Sequence, residues 1–526
     1  MAQPINTQTE KPKYTVANSL TNYYLVIMFS FFPLFLTDQY AHARTDKYWI
    51  YLIASAALVI SVGLCMFVSQ SEAKRSGADS PLFLPLSVTD IFMLAFLGLA
   101  AVSTLLSAHM EQAFLGTGGR NNGLLLLLMY TLMYFILTRN YVQKNYVFIF
   151  YLVVSSVVAL LTVLNFFYID PLGMLDGYDE ATAADFGSTL GNKNIIAAFM
   201  CLFLPVCVML FVFIESKVLR IISGFSIVFA YTGLLCADST SDILGLLVIL
   251  PVMAIFSARS FQYLKRYLLA LTILFASGKL LMLFATAVGD HNKGFEFMQE
   301  FLIYHPATYA PIVICCLGCL LMAFLGRNGE PRYPAKAIQI TLIALFSLGI
   351  ITLLGLFIHF SFIDTETDIG DFEKLLRFDD YWGTHRGFMW RVSFEEFARF
   401  DPLRMLFGSG PDTAYYVLEP HFEELLDRFG DASTDCAHNE YINYLLTQGV
   451  LGLGAYLGVM ISAIIRSIKT AKRNPMVLIF IAPVICYLTQ SAVNLYNPIV
   501  TPTMFIFLSL AEATCRSEES GMRNQE

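Results

Sequence analysis

The sequence predicts an all-α integral membrane protein, a polytopic bundle of 12 to 14 transmembrane helices with one large extracytoplasmic loop, and three observations lead to it. Only 14% of the 526 residues are charged, against about 25% in soluble domains. Apolar residues make up 56% and mean hydropathy is +0.62, which excludes a soluble enzyme, a coiled coil, a disordered chain and a basic nucleic-acid binder, so no nucleic-acid partner is expected. Apolar runs long enough to cross about 30 Å of hydrocarbon recur along the chain.

A polar tail, residues 1–19, opens the sequence and carries no cleavable signal, so the first apolar run reads as a signal anchor. Runs then begin near Leu20, Tyr48, Ile91, Leu124, Tyr146, Ile195, Ile221, Ile243, Tyr267, Tyr309 and Ile340, giving about eleven helices over 20–360. Three more, near Tyr441, Met476 and Ile499, fill 438–512, and residues 513–526 form a second polar tail. The fourth, eighth and fourteenth runs are the shortest and suit re-entrant or tilted helices.

Residues 361–437 lie between the two sets and differ in kind. They hold 7 basic and 17 acidic residues, a soluble-surface composition, so this segment is an extracytoplasmic acidic loop. The net charge of −8 is therefore the sum of +2 in the apolar remainder and −10 in the loop. Lys and Arg support the map, because short cytoplasmic loops retain them. With both termini cytoplasmic, the inner segments hold 20, among them Lys11, Lys13, Lys74, Arg75, Arg139, Arg259, Arg466, Arg516 and Arg523; the short outer loops hold five, Arg44, Lys47, Arg120, Lys193 and Lys293.

Ionisable groups within spans mark transport pathways. Lys279 alone clearly qualifies, and a snorkelled or locally paired lysine is the simpler reading of it. Cys315, Cys316 and Cys319 read as small packing residues, and Cys436 stands alone on the outer side, so no intramolecular disulfide is expected there. Polar residues gather instead at the outer face: Arg120 to Asn122, Asn192 to Asn194, Ser239 to Asp242, and the loop.

Within the loop, Asp364 to Asp380 is expected to form a solvated amphipathic helix with Phe372, Leu375, Leu376 and Phe378 on one face. A helical pattern through Phe394, Phe397 and Phe400 follows, then a turn over Phe407 to Pro411 whose glycines admit unusual backbone geometry. Thr434 or Asp435 is expected to cap the helix that re-enters the membrane, which puts His438 about one turn inside its N-terminus at headgroup depth. Alone, such a histidine is commonly an interface residue, Arg386 and Arg391 are commonly salt-bridged, and the loop aromatics commonly pack.

The ensemble carries a resemblance. Arg386, Gly387, Phe388, Met389 and Trp390, then Asp401, Pro402, Leu403, Phe407, Gly408, Ser409 and Gly410, then His438, Asn439, Glu440, Tyr441 and on to Gln448 to Leu453 resemble the signature of the O-antigen ligase and O-antigen polymerase superfamily. Gly119 to Leu124 and Leu190 to Asn194 are similar to further family segments, so the resemblance runs from about Arg120 to Asn494. It implies a C-type glycosyltransferase-like membrane fold in the bacterial cytoplasmic (inner) membrane. The implied activity is metal-independent, inverting transfer, without cofactor, of a glycan from an undecaprenyl-pyrophosphate carrier in the outer leaflet to a saccharide, lipid or protein acceptor. A chain-length regulator is a further possible partner of such proteins.

This chemistry needs a base near neutrality and cations for the departing pyrophosphate. His438 is the expected catalytic base and Arg386 the first cation; Arg120, Arg391, Lys193, Asn439, Glu440 and Trp390 are the expected substrate-binding residues. An acidic loop is expected to raise the pKa of His438. One departure stands out: where the family commonly has T-x-S-R, with an arginine that binds pyrophosphate, Ser239, Thr240 and Ser241 are followed here by Asp242. Arg120, Lys193 or Arg391 then takes that role, or the donor is held differently, or activity is lost, in that order of preference. Polymerase, ligase and protein oligosaccharyltransferase share these motifs, with the polymerase slightly preferred; the reading from another class is a transporter or flippase of lipid-linked saccharides.

Overall fold

The computed structural model describes residues 15–76, 85–116, 120–329 and 331–523, with the side chains of 72–76 and 522–523 excepted. Lys11, Lys13 and Gly119 lie outside the described residues, as do the side chains of Lys74, Arg75 and Arg523. The protein is an all-α polytopic membrane protein. Fourteen helices stand at the fourteen apolar runs: α1 (Val16–Leu34), α2 (Ala43–Ser76), α3 (Val88–Leu106), α4 (Leu124–Asn140), α5 (Asn145–Phe166), α6 (Lys193–Phe213), α7 (Lys217–Ala237), α8 (Thr240–Ser257), α9 (Phe261–Val288), α10 (Tyr309–Leu325), α11 (Ala335–Ile358), α12 (Glu440–Thr470), α13 (Val477–Gln490) and α14 (Thr501–Arg523). Ten helices among the described residues are long and apolar enough to cross a membrane.

α6 is the centre of the bundle. Every residue from Ile196 to Phe213 is buried, as a helix that is hydrophobic all round should be. Polar contacts collect at two ends. At one, Arg139 pairs with Asp90 at 2.9 Å, Arg516 joins the same carboxylate, and Arg466 meets Glu512 at 3.0 Å. At the other, beside the large loop, Arg120 meets Asp435 at 2.8 Å and Lys193 meets Asp185 at 3.2 Å.

The expectation about helix lengths needs correction. The shortest is the thirteenth, α13, with 14 residues, whereas the fourteenth has 23. Apolar character continues past Gln490, but Asn494 and Asn497-Pro498 unwind the chain, and residues 494–500 run as buried, non-helical backbone. Side chains satisfy it: the Asn497 Oδ1 accepts from the Ile499 and Val500 N–H groups at 3.1 and 2.9 Å, and the Thr501 Oγ1 accepts from the Asn497 N–H at 2.8 Å.

α12 is two helices. It breaks at Gly449, whose φ of 69° is left-handed, and the arm Glu440–Gln448 folds back on the arm that follows. The Tyr456 hydroxyl therefore reaches the Glu440 carboxylate at 2.5 Å across the fold. Phe96 of α3 packs on Tyr444 of the first arm and Tyr456 of the second, each at 5.6 Å. Only glycine fits the bend, since a Cβ on Gly449 would stand 2.3 Å from the Leu406 carbonyl oxygen.

The loop is a small folded unit with its own core, built on Phe388, Met389, Val392, Leu418 and Leu425, and docked on Leu446 of the re-entrant arm. Its acidic first part is not the amphipathic helix expected for Asp364 to Asp380; only Gly370–Phe372 and Glu373–Leu376 are helical turns. Asp364 and Asp368 accept from the Thr367 and Gly370 N–H groups at 3.1 and 2.8 Å, local bonds that compete with helix. Helix Trp382–Arg399 follows as expected, except that Gly383, Thr384 and His385 are left-handed, so its regular part starts at Arg386.

Replacing Gly449 with Ala should lower the thermal midpoint of the detergent-solubilised protein, at a cost of about 2–4 kcal/mol for the strained φ and the clash. Ala at Gly454, where a Cβ meets nothing within 4 Å, should be neutral or mildly stabilising. Equal effects at the two positions in a melting experiment would refute this account of the bend.

Candidate functional site

The site is made where the bundle gives up helix. α4 starts only at Leu124, behind the segment Arg120–Gly123, and this segment is held by the carboxylate of Asp412. Its Oδ1 accepts from the Arg120 N–H and its Oδ2 from the Asn122 N–H, both at 3.2 Å. The Gln112 side chain donates to the Asp412 carbonyl at 3.3 Å. Asp412 follows the Gly408–Ser409–Gly410 turn, whose Ser409 and Gly410 N–H groups cap the Leu446 and Thr447 carbonyls that end the re-entrant arm, at 3.0 and 2.8 Å. One turn thus fixes both the Arg120 segment and the arm that carries His438. The sequence reading missed Asp412; the Gly-Ser-Gly-Pro-Asp run identified a turn, not the amides that its carboxylate would meet.

His438 stands at the start of that arm, half-buried, in the left-handed region with φ 49°. It precedes the helix and does not sit one turn inside it. The cap is Asn439, whose Oδ1 accepts from the Tyr441 and Ile442 N–H groups at 2.9 and 3.1 Å. Thr434 instead turns onto the Cys436 carbonyl, and Asp435 pairs with Arg120, which corrects the expected cap. Asn439 is therefore committed to the helix terminus, and Glu440 is fully buried in the bundle against Tyr456, with its second oxygen unpartnered.

Three charged groups act on His438: Arg120, Arg386 and Asp435. Burial, then the two arginines, bring its pKa down from 6.5 to about 3, with Asp435 opposing. The expectation that the acidic loop raises it is overturned, because burial and the two guanidiniums outweigh Asp435, the loop carboxylate that acts on the ring. Asp435 itself is half-buried, which works against its charge, yet Arg120 holds it below the usual carboxylate range. Burial pushes Asp412 up to about 7 in spite of the two amides it accepts from, and pushes the thiol of Cys436, 1% exposed, up to about 12.

Arg386 differs from the other arginines of the loop. Its Nη1 donates to the Gly383 carbonyl at 2.6 Å, its Nε is buried without a partner, and no carboxylate lies within ion-pair distance among the described residues. Burial lowers its pKa, opposed from a distance by Cys436 and Glu296. Gly387 beside it is forced, since a Cβ there would stand 1.8 Å from the Asp379 carbonyl oxygen. Arg391, by contrast, grips Asp380 through Nε and Nη2 at 3.0 and 3.1 Å and also meets Glu395 and Glu424. Trp390 packs on Trp382 and Phe378, at 5.2 and 5.9 Å between ring centres.

Lys193 belongs to a second cluster. It pairs with Asp185 and Glu296, at 3.2 and 4.0 Å, and with Lys293 and Asp238 it lines a cavity of about 60 Å³ beside the hairpin β1 (Phe186–Gly187) and β2 (Gly191–Asn192). Asp242 lies in the first turn of α8, fully buried, with neither carboxylate oxygen partnered. Lys279 is locally paired, to the Ile303 carbonyl at 2.7 Å and the Thr308 hydroxyl at 2.6 Å. It is not the only ionisable side chain buried in a helix: Asp90, Asp242, Glu440 and Glu512 are too. The structure thus brings together His438, Arg120 and Arg386, and leaves Arg391, Lys193, Trp390 and Glu440 in other contacts.

No protein-family model matches the chain, and no curated protein sequence matches it.

Replacing Arg120 with Gln removes one of the two cations that depress His438, so its pKa should rise from about 3 towards the ordinary 6.5. The pH dependence of labelled-histidine resonances, or of diethyl pyrocarbonate modification, reports it. An unchanged titration would remove Arg120 from the electrostatics of the site.

Proposed function

We propose that this protein is an inverting membrane glycosyltransferase of the O-antigen ligase and polymerase type, working at the outer leaflet of a bacterial cytoplasmic membrane. Its donor is a saccharide on undecaprenyl pyrophosphate, and its acceptor is a hydroxyl, in the first instance that of another lipid-linked saccharide. One observation carries the reading: Arg386, a half-buried guanidinium without a carboxylate partner among the described residues, acts on His438 together with Arg120. A neutral imidazole under the influence of two cations, only partly offset by Asp435, suits a base waiting for an anionic substrate.

The acceptor O–H gives its proton to His438 as its oxygen bonds to the anomeric carbon. The bond from that carbon to the pyrophosphate oxygen breaks, and its electron pair leaves on the pyrophosphate, which Arg386 and Arg120 hold through charge-assisted hydrogen bonds. An imidazole with a pKa near 3 is a weak base. The donor eases this, because a pyrophosphate held by the arginines offsets their share of the depression, burial being the larger share, so the ring is more basic when the substrate is bound. Arg120, already present in the pocket, takes the place of the family arginine that Asp242 does not supply.

Purified protein given lipid-linked repeat units should produce a ladder of lengths. A single transfer to a lipid or protein acceptor would replace polymerase with ligase, and movement of intact lipid-linked material across vesicles without any new glycosidic bond would replace both with a flippase. Ala or Gln at His438 should cut transfer by about 10²–10⁴-fold, and Ala at Arg386 by about 10²–10³-fold, with membrane insertion and melting behaviour retained. The acid limb of kcat should lie at higher pH than that of kcat/KM, since the first reports the donor-bound histidine; coincident limbs would reject the substrate-raised base.

A further inference from the structure

Asp412 is 7% exposed and stands in the left-handed region, with φ 59°, where a residue other than glycine persists only if its surroundings hold it. Its own turn is locked by the Thr413 hydroxyl, which donates to the Gly410 carbonyl at 2.7 Å and shares a hydrogen bond with the Ser409 hydroxyl at 2.8 Å. On one side the turn presses against the end of α3 and the short helix Met110–Leu115, since a Cβ on Gly410 would stand 2.6 Å from the Ser107 Oγ and 2.9 Å from the Ala113 Cβ. On the other side the Ser409 and Gly410 N–H groups end the re-entrant arm, and Ser103 of α3 donates to the same Thr447 carbonyl at 2.9 Å. The carboxylate is thus a fixed point on the element that terminates the His438 arm.

What it grips is shaped for an anion. Asn121 is left-handed, with φ 59°, and the Arg120 and Asn122 N–H groups on either side of it turn to the two oxygens of one carboxylate. Two bonds fix the segment in rotation as well as position, and only an ionised carboxylate accepts at both oxygens; an amide would set its own N–H against one of the two donors. From this segment the Arg120 side chain runs to Asp435 and acts on His438. Asp412 is not among the charged groups that act on the imidazole, which are Arg120, Arg386 and Asp435. We propose that Asp412 is a positioning residue of the site: from the turn that ends the His438 arm it holds the Arg120 segment, and so sets the guanidinium against the imidazole and against the departing pyrophosphate. The pyrophosphate half of this assignment rests on the glycosyltransferase reading above, and the imidazole half does not.

Replacing Asp412 with Asn breaks one of the two amide bonds with almost no change of volume, and the titration of His438, followed by labelled-histidine resonances, reads the result. The midpoint should rise by at least about half of the shift that Arg120→Gln gives, and the double variant should titrate like Arg120→Gln alone, because Asp412 acts through Arg120. An unchanged midpoint in Asp412→Asn, or shifts that simply add in the double variant, overturns the assignment. Where Asp412→Asn does not fold, Gln112→Ala takes its place, since it removes the side chain that donates to the Asp412 carbonyl and Oδ2 at 3.3 and 3.5 Å. It should give a smaller rise that disappears on the Arg120→Gln background, and no rise overturns the assignment. With lipid-linked repeat units, Asp412→Asn should also lower kcat/KM by about tenfold, and an unchanged value removes the pyrophosphate half. If the coupled titration appears while wild-type protein forms no glycosidic bond, the positioning of Arg120 against His438 stands and the glycosyltransferase reading falls.

Discussion

Backbone amides and carbonyls inside an apolar bundle must find partners within the protein, because an unsatisfied group there costs several kcal/mol. Most of this chain meets the requirement with helix. Near the loop-bearing end it does not: the segments 120–123, 409–413, 434–439 and 494–500 are all non-helical and largely buried. Each is held by polar side chains or by the cut end of a neighbouring helix. Asp412 takes two amides of the first, the second caps the re-entrant arm, Asn439 closes the third onto that arm, and the Asn122 side chain reaches the Tyr496 carbonyl of the fourth at 3.2 Å. The polar residues gathered here are thus required by the interrupted helices before any chemistry is considered. What is notable is which of them remain unspent.

Among the loop's cations the accounting is uneven. Arg377, Arg391, Arg399 and Arg428 each meet at least one carboxylate, and Lys374 and Arg404 are exposed to solvent. Arg386 is half-buried and meets none among the described residues. In a segment with 17 acidic residues this is not a shortage of partners. The left-handed Gly383–His385 turn and the close passage of Gly387 over Asp379 aim Arg386 away from the acidic cluster around Asp380. Desolvating a guanidinium without pairing it is costly, and the cost is recovered only if an anion arrives.

Much of the architecture was legible in the sequence because hydrophobic length is a strong signal: all fourteen runs became helices, and the polar, acidic composition of 361–437 marked a separate folded unit. The errors share a cause. A run of apolar residues is equally compatible with helix and with buried coil, so the unwinding at Asn494–Val500 and the fold-back at Gly449 were invisible; a lone glycine in an apolar helix ordinarily means close packing. The amphipathic helix at Asp364 failed because local Asx bonds outcompeted a weak periodicity. In the site, residue type and order singled out His438, Arg386 and Arg120, but Asn439 and Glu440 stood beside the histidine in sequence and were drawn into capping and core contacts. Adjacency in the chain says little about which side of a helix terminus faces a cavity.

The sign of the histidine shift is the most instructive miss, since it alters the logic of the site. Summed over the loop, the charge of −10 argues for a raised pKa. Burial opposes the charged ring first, however, and the cations that act on His438 are Arg120 and Arg386, with Asp435 of the loop only partly offsetting them. Asp435 is the loop acid that acts on the ring, and Arg120 holds it in an ion pair at 2.8 Å. A histidine depressed by burial and by two cations is a poor proton acceptor until an anion offsets those cations. Under the function proposed above, a pyrophosphate that occupies the cations raises the ring's basicity as it delivers the leaving group, so substrate binding and activation are coupled.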